Sequence, residues 1–569
     1  MLLSARMRRL LLAAVAVALA APVPAHAAEP IMPLADVQVG ARCAGLTVVR
    51  GTQVSSFDVE VLDVIGERPQ TARILVRVSG PAVDATGIGP GFSGSPVLCP
   101  GEDGSSRTIG AISDTIGEFG GRTVLATPIE AILAQPPDPP AALPAAVAGA
   151  RSLAAPLTIA GLRPSLAASF ARAARRAGRV LFSSPAGSRA TFAPQPLVPG
   201  SAVIAAVASG DISIGVLGTV AYVDGPIAWM FGHPLESSRG AGRRSLFLQD
   251  AFVHTVVNNP IAVPDASTYK LGSPGNDIGT ITSDGPSAVV GRFGAPPPTF
   301  LLRVTARDLR TGRVTSSLTR VADEGDVGLP EGISALGLAG SAAVAESAGA
   351  ILAGAPASQS GDMCVRVTLR ELREPLRFCN AYAVDGEVPN ALAGAVADDM
   401  AAVVGVLDGY RFGTLHPTAV DVGLRVRSGM SQAFIVGANV VGAARRGRAV
   451  KVRLRLRRTR TGVTSTRTIR VLVPSDTASG NRSLRLLGTP ADVGRDPDDP
   501  GELDVVFEEQ DGGDDPGPQS LVEVRSAIGR LQHYDGVTAA FSGESPRRVY
   551  RDPQLRISGR TTVRVRIRR

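Results

Sequence analysis

The segment Gly91-Phe92-Ser93-Gly94-Ser95-Pro96 restricts the fold more than any other stretch of the sequence. Glycines two residues before and one residue after Ser93 permit a tight turn, because glycine reaches backbone angles that clash for other residues. A serine hydroxyl is a weak nucleophile until a turn exposes it and a base takes its proton. The run Pro96-Val97-Leu98 is typical of a strand, whereas a GxSxG elbow is followed by a helix. The segment therefore predicts a nucleophile loop between strands, with a plain Gly-Ser turn as the alternative.

The sequence on both sides of this loop predicts a β-rich domain. Short runs of β-branched residues alternate with Gly, Pro and Asp, which is the pattern of a small barrel or sandwich. The whole chain has 64 glycines and 43 prolines, and this favours turns and short strands over long helices. The predicted strands of the domain are 46–49, 57–64, 74–78, 96–98, 108–112 and 122–126.

The rest of the chain divides where its composition changes. The segment 136–156 is rich in Pro and Ala, which is typical of a semi-rigid linker. Helices are predicted at 164–177, 334–352 and 390–407 from amphipathic spacing or high alanine content. The predicted units are a signal peptide at 1–27, a serine-motif β block at 28–135, the linker at 136–156, a histidine-motif β block at 157–298, a mixed α/β segment at 299–423 and a C-terminal β domain at 424–569.

The N-terminus has the pattern of a secretory signal. Arg6, Arg8 and Arg9 form a positive region, 10–21 is apolar, and Ala25-His26-Ala27 fits a cleavage site. The apolar run is shorter than the roughly 20 residues of a membrane-spanning helix, and no other run of this kind follows. We therefore expect a protein that is secreted or located in the cell envelope, with no integral membrane span after cleavage.

Four cysteines, Cys43, Cys99, Cys364 and Cys379, follow the predicted cleavage site. An even number in an exported protein predicts two disulfides. Three pairings are possible, and the pairing Cys43–Cys99 with Cys364–Cys379 is preferred because it keeps each bridge within one domain. A metal site is the alternative, but no CxxC spacing or nearby histidine supports it. We expect neither a metal nor a cofactor.

The charge pattern argues against a nucleic-acid partner. The net charge is +8, and it falls to +5 without the three N-terminal arginines. Only Lys270 and Lys451 are lysines, so nearly all of the positive charge is arginine. Nucleic-acid binding requires basic residues clustered with aromatic ones, and the sequence has no such cluster.

Strict alternation of apolar and basic residues marks 450–457, and 562–568 repeats the pattern. The alternation predicts half-buried strands with a solvated basic face, and a face that binds membranes or polyanions is the alternative. The segment 492–518 is acidic and rich in Gly and Pro, which is typical of a mobile loop.

Motifs in two blocks resemble those of the SpoIVB-type serine peptidases, a family placed in the chymotrypsin-like fold. The serine loop stands in the block 28–135, and Phe231-Gly-His-Pro in the block 157–298 is similar to the histidine motif of the family. The similar stretches lie between residues 31 and 281, a span of roughly half of the mature chain. They are 31–37, 45–52, 57–62, 74–80, 86–88, 91–96, 109–112, 126–130, 218–225, 231–234 and 271–281.

The resemblance implies a mainly β fold: a chymotrypsin-like double β-barrel assembled from the two blocks, then the mixed segment and a C-terminal β-sandwich-like domain. It further implies that Ser93 is the nucleophile and His233 the general base. The N–H groups of Gly91 and Ser93 would form the oxyanion hole. The serine block precedes the histidine block here, so that the two blocks must pack across the linker.

The acid of the triad is not where this family has it. The family carries an aspartate about fifteen residues before the serine, whereas this sequence has Val-Ser-Gly at 78–80. Asp84 is the nearest candidate before the serine, and Asp211, Asp224 and Asp250 near the histidine motif are alternatives.

Together these features predict a secreted serine endopeptidase that cleaves a protein or peptide substrate by Ser-His acyl transfer. The resemblance implies a narrow specificity, for the protein itself or for a few envelope or secreted proteins. The first alternative is a non-catalytic relative that serves as a binding or scaffold protein of the cell envelope, and the other is a different class of hydrolase. The sequence carries no signal for an oligomeric state.

Overall fold

The structure is a computed structural model that describes most of the 569 residues and is mainly β. The predicted signal peptide lies outside the described residues, as do most of the predicted linker and most of the acidic segment 492–518. The described residues are 29–116, 120–139, 157–176, 181–183, 191–235, 242–258, 268–325, 334–352, 356–385, 390–488, 517–543 and 546–568.

Six strands form the first barrel: β1 (Arg42–Val48), β2 (Val54–Ile65), β3 (Arg73–Ser79), β4 (Pro96–Pro100), β5 (Ser106–Thr115) and β6 (Thr123–Pro128). The order around the barrel is β1-β2-β3-β6-β5-β4, and the ring closes because β1 also pairs with β4. Alternate side chains point inward, so that Val59, Val61, Ile74 and Val76 are buried. All six strands predicted for this block are confirmed.

A larger sheet of 13 strands follows. Its strands are β7 (Leu157–Ala160), β8 (Leu181–Ser183), β9 (Ala202–Gly210), β10 (Ser213–Asp224), β11 (Ile227–Met230), β12 (Gly242–Asn258), β13 (Thr268–Asp284), β14 (Val289–Phe293), β15 (Thr299–Asp308), β16 (Val314–Ala322), β17 (Ser358–Leu369), β18 (Leu376–Asp385) and β19 (Pro417–Ser428). The strand order is β18-β17-β19-β15-β16-β9-β12-β13-β14-β11-β10-β7-β8.

Part of this sheet closes into a second six-stranded ring. The strands β9, β12, β13, β14, β11 and β10 are neighbours in that order, and β9 also pairs with β10. The chain therefore contains two closed rings of six strands, one from each of the predicted blocks. The predicted mainly β, barrel-containing fold is confirmed.

Helices are few, and a 3-10 helix at Leu34–Asp36 precedes them. Ser334 caps an alanine-rich helix, since its side chain accepts a hydrogen bond from the Gly337 N–H. The helices predicted from the sequence are confirmed within two residues at their ends. The helices are α1 (Ile129–Leu133), α2 (Pro164–Arg176), α3 (Ala335–Ile351), α4 (Ala391–Asp408) and α5 (Leu521–Arg530). No helix among the described residues is long and apolar enough to cross a membrane.

Two smaller sheets share one core at the C-terminal end. Val452 and Leu454 from one sheet and Leu484 and Val565 from the other are buried in that core. The strands are β20 (Gln432–Val441), β21 (Ala444–Arg445), β22 (Ala449–Arg458), β23 (Thr464–Leu472), β24 (Gly480–Leu487), β25 (Gly536–Phe541), β26 (Arg547–Arg551), β27 (Arg556–Ser558) and β28 (Arg560–Arg568). The sheet orders are β23-β22-β20-β27 and β21-β28-β24-β25-β26. Alternate burial along β22 confirms a half-buried strand with a solvated basic face.

The long hairpin of β12 and β13 connects the two barrels. Val253 forms a two-way backbone bridge with Gly51 of the first barrel. Nearer its tip, the Asn258 side chain donates to the Ala85 carbonyl at 2.5 Å. The backbone N–H of Lys270 donates to the Pro90 carbonyl at 2.9 Å, next to the serine loop. The hairpin thus holds the second ring against the loop-bearing side of the first.

Both predicted disulfides are present. Cys43 of β1 is bonded to Cys99 of β4, across the seam where the first barrel closes. Cys364 and Cys379 lie directly opposite each other on β17 and β18. Two disulfides are typical of a protein that folds in an oxidising compartment.

Replacement of Cys43 and Cys99 by alanine should lower the free energy of unfolding of the first barrel by about 4 kcal/mol, because this bridge spans 56 residues. The matched change of Cys364 and Cys379, which are 15 residues apart, should cost about 3 kcal/mol. Hydrogen exchange of peptides from each region in a guanidinium series measures both losses. A larger loss at the shorter loop would contradict the loop-closure argument.

Candidate functional site

The serine loop takes a shape that only glycine permits at two positions. Gly91 has a φ of 93° and Gly94 a φ of 91°, both in the left-handed region. A Cβ on Gly94 would lie 1.9 Å from the carbonyl oxygen of Thr219, and one on Gly91 would lie 2.9 Å from Cβ of Lys270. The glycine spacing in the sequence therefore reflects both a sharp turn and close packing on the second ring.

Both barrels hold the loop through its backbone. On one side, the Gly94 N–H donates to the Ile112 carbonyl of β5 at 2.7 Å. On the other, the Thr219 N–H of β10 donates to the Ser93 carbonyl at 2.8 Å. The serine loop is therefore part of the interface between the two barrels.

The histidine segment begins directly after β11 and lies at the same interface. Phe231 has a φ of 68°, which is an outlier for a bulky residue and marks local strain. Its N–H donates to the Thr219 carbonyl at 3.2 Å, and Thr127 Oγ1 of β6 donates to the Gly232 carbonyl at 2.8 Å. Because Thr219 bonds both Ser93 and Phe231, the structure brings the serine and histidine segments together.

The ring of His233 is held in one tautomer. Its Nδ1 lies 2.6 Å from the carbonyl oxygen of Pro234, which can only accept a hydrogen bond. Nδ1 therefore carries the proton, and Nε2 presents a lone pair.

Two buried polar atoms at this site lack hydrogen-bond partners among the described residues: Nε2 of His233 and Oγ of Ser93. They are not hydrogen-bonded to each other. Ser93 is 0% exposed and His233 is 2% exposed. An unpaired buried polar atom costs about 1–3 kcal/mol, and such groups in a native structure are often functional. The first of these atoms is a ring nitrogen that can accept a proton, and the second belongs to a hydroxyl donor.

Burial lowers the pKa of His233 below its usual value of 6.5. The hydrogen bond to Pro234 and the charge of Asp114 oppose this by raising the pKa, and the charge of Arg73 lowers it further. Asp114 is buried on β5, where Nε of Arg73 at 3.0 Å and Oγ of Ser113 at 2.7 Å bond its carboxylate. His233 is therefore neutral near pH 7, as a general base must be.

The structure does not connect Asp84, the acid favoured from the sequence, with His233. Its carboxylate forms a solvent-exposed ion pair with Arg122 at 3.5 Å, and Asp84 is not among the charged groups that shift the pKa of His233. The carboxylate of Asp211 accepts from the Leu318 N–H, and that of Asp250 accepts from the N–H groups of Gln195 and Asn276. Asp224 is an exposed residue at the end of β10.

Asp114 was missed from the sequence because the acid was expected before the serine. The available signal was a charged residue at the end of the apolar strand that carries the 109–112 motif. Asp114 is the carboxylate whose charge raises the pKa of His233.

The N–H groups of Gly91 and Ser93 have no hydrogen-bond acceptor within the part of the chain that the structure describes. The turn itself uses other groups, since the Ser95 N–H donates to the Phe92 carbonyl at 2.9 Å. These two N–H groups, on either side of Phe92, are free to donate hydrogen bonds to a developing oxyanion.

Lys270 of β13 is a fully buried lysine next to the loop, and the sequence alone did not connect it with the site. Its Nζ donates to Thr47 Oγ1 at 2.5 Å and to Thr219 Oγ1 at 3.1 Å, and it lies 4.5 Å from the centre of the Phe92 ring. Burial lowers the pKa of Lys270 to about 7. The signal in the sequence was a lysine at an apolar strand position in a chain with only two lysines.

The other histidines outside the predicted signal peptide have local partners. His254 pairs with Ser273 Oγ at 2.7 Å, His416 with Asp323 at 2.9 Å, and His533 with the Cys379 carbonyl at 3.1 Å. Within the described ranges, no three His, Cys, Asp or Glu side chains come together as metal ligands.

No family model matches this chain, and no curated protein and no solved structure matches it.

The pKa of His233 should respond in opposite directions to its two charged neighbours. Asp114→Asn should lower it further, because the carboxylate favours the imidazolium, and Arg73→Gln should raise it. Ring ¹⁵N chemical shifts titrated with pH, assigned with a His233→Gln variant, measure both changes. A shift in the same direction in both variants would contradict the assignment of Asp114 to this site.

Proposed function

We propose that this protein is an exported serine endopeptidase of the SpoIVB type, with Ser93 as nucleophile and His233 as general base. The observation that carries the proposal is the pair of buried, unpartnered atoms, Ser93 Oγ and His233 Nε2, on two segments that share Thr219. Two closed six-stranded rings and the serine loop at their interface support a chymotrypsin-like arrangement.

In the proposed reaction, Ser93 Oγ attacks the carbonyl carbon of a peptide bond while its proton moves to Nε2 of His233. The carbonyl oxygen becomes an oxyanion that the N–H groups of Gly91 and Ser93 stabilise. His233 then gives the proton to the leaving amine as the C–N bond breaks. Water repeats the attack on the acyl-enzyme, with His233 again as base, and Ser93 is released.

We assign the acid role to Asp114 in place of Asp84. Asp114 does not hydrogen-bond the ring of His233, whose Nδ1 proton is held by the Pro234 carbonyl. Its part is electrostatic, because its charge favours the imidazolium that forms during attack. In a triad, one aspartate both orients the histidine ring and stabilises its charge. Here the Pro234 carbonyl orients the ring, and the buried carboxylate of Asp114 stabilises the charge.

The burial of Ser93 and His233 has a consequence for access. A peptide bond reaches the hydroxyl only if elements at the barrel interface move, since both residues are closed off from solvent. The start of β13 is one of the elements that lie against the loop, since the Lys270 N–H donates to the Pro90 carbonyl. The proposal therefore predicts slow activity in the closed form and faster activity after the interface opens.

A fluorophosphonate probe should label the folded wild-type protein at Ser93. Ser93→Ala should abolish labelling, and His233→Ala should reduce the rate at least a hundredfold, on the order of the loss seen when a catalytic base is removed. Ser56→Ala and His416→Ala serve as matched controls, because the first changes an exposed strand serine and the second a histidine that pairs with Asp323. The labelled peptide is identified by mass spectrometry.

The labelling rate should also fall in acid with a midpoint below pH 6.5, since the pKa of His233 is lowered. Labelling is measured on the intact chain and again after limited proteolysis, which is used to open the interface between the barrels. No labelling of folded wild-type protein in either form would overturn the proposal.

A non-catalytic binding or scaffold protein of the cell envelope is the other candidate. The full burial of both residues favours it, as does a histidine whose Nδ1 proton faces a carbonyl and not an acid. Absence of labelling in a protein whose two rings remain folded is the result expected for this candidate.

A further inference from the structure

We propose that Lys270 is a positioning residue, whose side chain holds the Gly91–Ser95 loop in the shape that the nucleophile and the oxyanion hole require. The catalytic meaning of this inference rests on the proposed function. The structural part, that one lysine fixes the loop from inside, rests on contacts alone.

Hydroxyl groups extend the reach of Lys270 to both ends of the loop. Thr219 Oγ1 accepts from Nζ of Lys270 and donates to the Gly91 carbonyl at 3.0 Å. Thr47 Oγ1 accepts from Nζ at 2.5 Å and also from Ser95 Oγ at 3.1 Å. The amine is therefore one hydroxyl away from the first and the last residue of the loop.

Lys270 also contacts the loop directly, and we call these contacts, together with the two hydroxyl links, the clamp. The Lys270 N–H donates to the Pro90 carbonyl at 2.9 Å, its Cβ packs where Gly91 has no side chain, and Nζ faces the Phe92 ring at 4.5 Å. The side chain of Ser93 takes no part in these contacts, so the clamp holds the residues around the candidate nucleophile and leaves its hydroxyl free.

A lysine at this position makes the loop sensitive to pH. The partners of Nζ are Thr47 from β1, Thr219 from β10 and Phe92 from the loop, and none of these titrates near neutral pH. Burial alone lowers the pKa of Lys270 to about 7, so its charge changes near that pH. As the amine gains its third proton, the interaction with the Phe92 ring gains a full positive charge. This dependence is separate from that of His233, whose pKa lies lower.

The structural part is tested first in a Ser93→Ala background, where activity plays no role. Lys270→Met keeps the length of the side chain and removes its hydrogen bonds. It should speed amide hydrogen exchange of a peptide covering 90–96 at least tenfold, while exchange in the C-terminal sheets stays constant. Lys451→Met, at the other lysine of the chain and on the exposed face of β22, should change nothing. Unchanged exchange in Lys270→Met would overturn the proposal.

Should Lys270→Met fail to fold, a pair of variants at Thr219 decides. Thr219→Val removes the hydroxyl that joins Nζ to Gly91 and should speed exchange of 90–96, whereas Thr219→Ser restores the hydroxyl and should return exchange toward the wild-type rate. Equal exchange in both variants would overturn the clamp.

The charge of Lys270 is read directly because the chain has two lysines. In protein with ¹³C-labelled lysine, one Cε signal should titrate near pH 7, and Lys270→Met should remove that signal. A spectrum with no Cε signal titrating near pH 7 would contradict the pH dependence.

In the active protein, Lys270→Met should slow fluorophosphonate labelling at least tenfold. In the wild type, labelling should weaken as Lys270 loses its charge near pH 7, whereas the variant should keep only the fall in acid that comes from His233. Failures of the two proposals are distinguishable. If Lys270→Met speeds hydrogen exchange of the loop but the protein is never labelled, the peptidase proposal is refuted and the clamp stands. If the protein is labelled at Ser93 but Lys270→Met changes neither the exchange of the loop nor the pH profile of labelling, the clamp is refuted and the peptidase proposal stands.

Discussion

Thr219 is the residue on which the arrangement of the site depends. Its N–H bonds the carbonyl of Ser93, its carbonyl accepts from Phe231, and its hydroxyl joins Lys270 to Gly91. Every polar group of one strand residue is thus used to hold the serine segment and the histidine segment together. The position of one barrel relative to the other is defined where these bonds meet, and a shift of β10 would move both segments at once.

Local patterns in the sequence were sufficient for most of the elements. Short β-branched runs bounded by Gly, Pro and Asp predicted the strands of the first barrel, and alanine content predicted α3 and α4. The disulfide pairing followed from keeping each bridge within a domain. The closure of the rings was not predictable in the same way, since it depends on pairings between distant segments such as β1 with β4. The 17-residue strands β12 and β13 were also missed, because shifts in their register break the alternation.

For the site, glycine spacing and the resemblance to a family identified the serine and histidine segments, which the structure places side by side. Their catalytic roles remain proposals. Asp114 and Lys270 were not predicted from the sequence because each meets the site from another element of the fold. Asp84 was favoured for its nearness in sequence to Ser93, but its carboxylate faces Arg122 and solvent. Nearness to Ser93 along the chain does not indicate which carboxylate affects His233, because His233 is 140 residues after Ser93.

The order of the two segments has a consequence for biosynthesis. Domains fold from the N-terminus as a chain emerges, so the first barrel and its disulfide form while the second ring is still unfolded. At that stage Ser93 has neither His233 nor Thr219 beside it. If Ser93 is the proposed nucleophile, the chain would therefore carry an inert serine until its later half has folded and packed against the first barrel.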